Sequence, residues 1–284
     1  MSKSRRSFPW IVACIVLLSV SAPCRSQAPA NHDANDKTHV IWTGASAGLF
    51  WKWTTADLTA TATDSKTYTL SALGYEKRTS QMMKDEKADP FDSLVECKIQ
   101  PLSIVGSIAC YERDYYWEGG AHPSGSIDLV VLDVKQPDRR LALTDLFPDA
   151  DILRALMSDK VVQGTLKRNS LTNKPMRAGD LVKLLSGRTF GGDDDMRYGF
   201  EPDLLYRFAF HHIEGDRIAI RINISWASEI YRFTSTQIGI LLPIPPALRK
   251  QLTAADNRTS GFLMRDAMKL ANGKETTLFT LKAK

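Results

Sequence analysis

The sequence predicts an α+β fold, with antiparallel sheet and a few packed helices. Three observations predict it. Ile218, Ile220, Ile222, Ile224 and Trp226 alternate strictly with Arg217, Ala219, Arg221, Asn223 and Ser225, the period-2 pattern of a half-buried strand. Just before it Tyr206, Phe208 and Phe210 alternate with Arg207 and Ala209, and Glu214-Gly215-Asp216 supplies a hairpin turn. Helical stretches interrupt runs of strands without one-for-one alternation, which argues against a βα-repeat sheet.

In chain order, residues 1–30 read as an export signal: a basic start (MSKSRRSFPW), an apolar run from Ile11 to Ala22, and a small-x-small site at Ala28-Pro29-Ala30. The apolar run is shorter than the ~20 residues a bilayer requires. Ser4-Arg5-Arg6-Ser7-Phe8 matches a twin-arginine start, so both the general and the twin-arginine export routes stay open. Residues 31–38 are polar, and 39–63 are rich in Trp, Thr and Ala, reading as strands with irregular joints. The charged stretch Gln81–Pro90 closes an N-terminal β-rich segment, residues 31–93.

Residues 94–250 form the central domain of this reading. Leu94 to Trp117 is two extended runs around Pro101, with the turn near Gln100-Pro101. Ile127–Val134 is apolar on both faces apart from Asp128 and Asp133, as a buried strand is. A helix capped by Asp145 or Asp149 and running to about Gln163 buries Ile152, Leu153 and Leu156, and a shorter helix covers 179–186. Ile238–Leu242 is a third strand beside the hairpin, ended by Pro243, Pro245 and Pro246. The remainder, 251–284, reads as the rest of a helix begun near 247, a second around Gly261–Ala271, and a strand at Thr277–Leu281.

Charge excludes one class of partner. Of the 37 basic residues, Lys3, Arg5, Arg6 and Arg25 lie in the signal, which has no acids, leaving 33 basic against 32 acidic. A near-neutral chain does not point to nucleic acid. No later apolar run has the length of a membrane span. Two cysteines follow the signal, Cys97 and Cys110, and an oxidising compartment makes a disulfide between them an expectation, worth ~3 kcal/mol.

The segment YYWEGGAHPSG, 115–125, is the most distinctive. Gly119-Gly120 permits a sharp turn or bulge, and Pro123 biases His122 toward extended backbone. Tyr116, Trp117, Glu118 and His122 then stand on a stiff rim, suited to glycan or protein recognition. A constrained turn that serves only the fold is the other reading of these residues, and such turns are commoner than sites.

Three pieces of the chain carry a family pattern: Leu102-Ser103-Ile104, the aromatic strand ending in Gly119-Gly120-Ala121-His122-Pro123, and Leu141-Ala142-Leu143-Thr144-Asp145-Leu146-Phe147. In this order they resemble the RsiV-like family, an extracytoplasmic domain found in the RsiV anti-sigma factor and beside some peptidoglycan deacetylase domains. The likeness is densest over residues 94–156. The family's Tyr-Glu-Ile-Ala-Pro-Tyr segment is replaced here by WASEIYRFTS, 226–235. The resemblance implies an extracytoplasmic binding domain of the RsiV-like type, with lysozyme or peptidoglycan as its partner.

Other chemistry is weaker. Glu118 and His122 would supply two metal ligands where zinc takes three or four. His211 and His212, adjacent in a strand, are expected to point to opposite faces and not to share an ion. A glycan hydrolase would pair Glu118 with a second acid such as Glu112, Asp114 or Asp128 at ~5 Å or ~6.5–9.5 Å, although salt bridges suit these residues as well. GGDDDM, 191–196, lacks EF-hand ligand spacing. No nucleophile elbow, phosphate loop, dinucleotide fingerprint or HExxH occurs. The expectation is a periplasmic or secreted binding protein of the cell envelope without catalytic residues, metal or cofactor, its contact surface comprising Tyr116, Trp117, Glu118, Gly119, Gly120, His122 and Pro123. An envelope hydrolase and a purely structural envelope protein are the alternatives.

Overall fold

A period-2 hydrophobic pattern needs an apolar layer to face, and in this chain one sheet faces two of them. A computed structural model describes residues 39–70, 93–118, 124–190, 198–226 and 236–271. The described residues form an α+β fold with five α-helices and three antiparallel sheets.

The first sheet is the meander β1 (Val40–Ser46), β2 (Leu49–Thr54), β3 (Leu58–Ala62) and β4 (Thr67–Thr69), in the tryptophan-rich stretch where strands were predicted. The second is β5 (Ser93–Val105), β6 (Ile108–Glu118) and β7 (Ser124–Asp133), with β6 central. The third is built on β11 (Arg217–Trp226), flanked by β10 (Phe208–Glu214) and β12 (Thr236–Pro243). The two-residue strands β8 (Thr189–Phe190) and β9 (Tyr198–Gly199) extend it at Ser225 and Trp226. Gly215, at φ +62°, turns the predicted β10–β11 hairpin. The helices are α1 (Asp149–Ser158), α2 (Lys160–Arg168), α3 (Ala178–Leu185), α4 (Pro246–Asp256) and α5 (Met264–Leu270).

The β5–β7 sheet is covered on both faces. Along β6, Ile108 and Cys110 join a core with α1–α3 and the isoleucines of β11 and β12. Ala109 and Tyr111, one residue out of phase, join a second core with Trp42, Trp51 and Trp53 of the first sheet. Phe262 closes that second core: Trp53 stacks on it at 5.2 Å, and Trp42 meets it edge-on at 5.1 Å. The backbone of Phe262 is bonded to β5, with Ile104 N donating to Phe262 O (2.8 Å) and Phe262 N to Ile104 O (3.2 Å). A Cβ on Gly261 would stand 2.2 Å from Ile104 O, so only glycine lets the chain come this close.

Three expectations are corrected. The β5–β6 turn is not at Gln100-Pro101. Strand β5 runs through Pro101 and turns at Gly106, φ +65°. Proline is accommodated because β5 ends the order of its sheet and its register shifts between Pro101 and Ser103. The helix expected to run to Gln163 is two helices. Asp159 is extended (ψ 136°), and its carboxylate accepts from Val161 N (2.8 Å) and Val162 N (3.1 Å), capping α2. Asp145 instead accepts from Ala142 N (2.8 Å) in a 3-10 turn, and Asp149 accepts from Ala178 N (3.2 Å) at the start of α3.

The third correction concerns the disulfide. Cys110 is a free, buried thiol. The register pairs Cys97 with Tyr115 and Cys110 with Ser103. Five residues of strand separate the two positions, roughly 17 Å, whereas a disulfide needs Cα atoms within about 7 Å. Burial pushes the Cys110 thiol up to about 12, with Ser103 and the Phe210 backbone pulling weakly the other way. Gln81–Pro90, 191–196 and Thr277–Leu281 lie outside the described residues.

Candidate functional site

The predicted recognition segment begins in the last residues of β6. Tyr116, Trp117 and Glu118 are the last residues of β6, whereas Gly119, Gly120, His122 and Pro123 lie outside the described residues. The register sets Tyr115, Tyr116 and Trp117 against Ser126, Gly125 and Ser124 of β7, and Glu118 against Ser93 of β5.

Below this end, a charged network anchors the hairpin. Arg113 and Asp128 are cross-strand partners, and Arg113 Nη2 lies 3.5 Å from Asp128 Oδ2. Arg207, immediately before β10, donates to the other oxygen of Asp128. Arg207 also lies 4.0 Å from Asp203, which accepts from Arg140 at 2.9 Å, and the Arg140 guanidinium covers the Tyr206 ring at 4.5 Å. The network runs from interior to surface: side-chain exposure is 4% at Arg113, 14% at Asp128 and 60% at Arg140. Asn223 adds a neutral tie, its buried amide donating to Ile127 O at 2.9 Å. One carboxylate bridging two guanidiniums makes Asp128 the keystone of the network. Sequence reasoning allowed Asp128 a salt-bridged role. It did not find Arg113, Arg207 or Asn223, because their partners are distant in the chain.

Glu112 is a perturbed carboxyl on β6. Burial, and then the charge of Asp114, raise its pKa. Among the described residues no group of three or more His, Cys, Asp or Glu converges as metal ligands would. A cleft of about 480 Å³ lies between α1, α2 and β12, lined in part by Arg154, Lys160 and Arg217, with no residue of β5–β7 in its wall.

The histidine expectation is corrected. Phe210 pairs with Ile220 and His212 with Ala219, so His211 is the extra residue of a β-bulge. The bulge breaks alternation and brings both rings together, centroids 4.8 Å apart and Nδ1 to Nδ1 2.6 Å. At that separation one ring donates and the other accepts. Burial, then Arg221, His212 and Arg265, push the pKa of His211 down to about 4. Nothing in the letters FAFHHIEG distinguishes a bulge from continued alternation.

No helix among the described residues is long and apolar enough to cross a membrane. A scan of family models finds no match to this chain, and neither does a search of curated proteins.

Proposed function

We propose that the chain is an exported, non-catalytic binding protein of the cell envelope, and that Tyr116 to Pro123 form part of its contact surface for a lysozyme-type protein or for peptidoglycan. The observation that carries this reading is the anchored stem. Arg113, Asp128 and Arg207 tie the β6–β7 hairpin to the strand beyond it, directly beneath three consecutive aromatics. A recognition element on a rigid stem loses little conformational entropy when it binds. The Gly-Gly-Ala-His-Pro resemblance supplies the partner class, and the N-terminal sequence supplies the compartment.

The test is binding of the mature chain to lysozyme and to purified peptidoglycan, at low and moderate salt. Trp117→Ala and His122→Ala should each weaken the interaction about tenfold or more, with unchanged unfolding midpoints. No binding to either partner removes the reading and leaves a structural envelope protein. Turnover of peptidoglycan that Glu118→Gln abolishes would replace it with the hydrolase.

A further inference from the structure

Two adjacent strand residues ordinarily face opposite sides of a sheet, so bringing their rings together requires the backbone to break its period. His211 and His212 meet this condition through the bulge opposite Ala219, and both are half-buried at the surface. Their Nδ1 atoms are 2.6 Å apart. We propose that this pair is a two-nitrogen chelate for a copper(II) ion, formed when the Nδ1 proton that the two rings share moves to Nε2 of the donating ring, with water completing the coordination.

The spacing suits the ion. With metal–imidazole bonds of about 2.0 Å, a right-angled bite needs nitrogens about 2.8 Å apart, and a tetrahedral bite about 3.3 Å. The observed separation is close to the first, the angle of tetragonal copper(II), and well short of the tetrahedral angle that zinc takes. Copper(II) also binds nitrogen donors more tightly than the other divalent first-row ions, which matters where the protein offers only two ligands. Ala219 places a methyl group, not a bulky side chain, across from the pair.

The surrounding charge limits the affinity without closing the site. Arg265 is already held by Asp256 (3.0 Å) and Asp266 (3.3 Å), and Asp266 also faces Lys269 at 3.7 Å. Arg221 lies over Gly239, where a Cβ would come within 2.9 Å of its guanidinium. Its positive charge weakens cation binding and favours an anionic co-ligand such as hydroxide.

The experiment is a copper(II) titration of the chain in a non-coordinating buffer. His32, His39 and His122 are first replaced by alanine, so that only the bulge pair remains among its histidines. One equivalent should bind, with two equatorial nitrogens in the electron paramagnetic resonance spectrum and at least tenfold preference over zinc(II). His211→Ala or His212→Ala should lower the affinity tenfold or more. The spectrum of the folded parent tests the site even if a variant unfolds. Absence of saturable copper, a one-nitrogen spectrum, or zinc bound equally well would overturn the proposal, leaving the rings as a proton-sharing pair.

Discussion

Asp128 shows how much one side chain can hold when its environment is dry. It neutralises two guanidiniums, one of them only 4% exposed. Asp128→Asn strips the charge and leaves both cations buried with a weaker acceptor, so the folded state should lose about 3 kcal/mol by urea unfolding. Arg140→Ala, at the exposed end of the same network, should cost less than about 1 kcal/mol. Glu112 carries the opposite sign. Its pKa is raised in the folded state, so no penalty exists while the group is protonated in both states, and a penalty appears as pH rises through the folded value. Glu112→Gln should therefore be more stable than the parent at pH 8 and indistinguishable from it at pH 4. A gain of equal size at both pH values would show that the benefit comes from packing and not from charge.

At the scale of elements, the instructive positions are those where a local signal competes with a tertiary one. The alternation of β10 and β11 and the Gly215 turn were legible because the period and the turn chemistry lie within one short window. The break between α1 and α2 is legible only in hindsight. Asp159 prefers the cap, yet the apolar stripe continues across it. Asp159→Ala removes the acceptor of two amides and should cost about 1 kcal/mol, read as loss of helical circular dichroism and a lower midpoint. The bulge at His211 and the passage of β5 through Pro101 carry no local mark at all. They are set by what each strand has to pair with: Ala219 in the first case, Tyr111 and Cys110 in the second.

For the described part of the molecule as a whole, stability rests on a sheet buried on both sides. Phe262, near the C-terminal end of the described chain, is bonded to β5 and stacked on a tryptophan of the N-terminal sheet. It therefore couples segments that composition alone reads as separate regions. Phe262→Ala should lose about 4 kcal/mol, with red-shifted tryptophan emission as Trp42 and Trp53 meet water. An unchanged spectrum would show that the second core repacks without it. The stem of the β6–β7 hairpin belongs to this scale too, since Arg207 and Asn223 bind it from two other parts of the chain.

The sequence by itself determined the α+β class and most strand and helix positions. Hydrophobic period, caps and turn residues act within a few positions, so they can be read directly. Tertiary structure alone decided that Cys97 and Cys110 are offset by five strand positions in register, that two histidines share a face, and that Arg113 and Arg207 meet at Asp128. Each of these depends on strand register, which the pairing of distant segments sets.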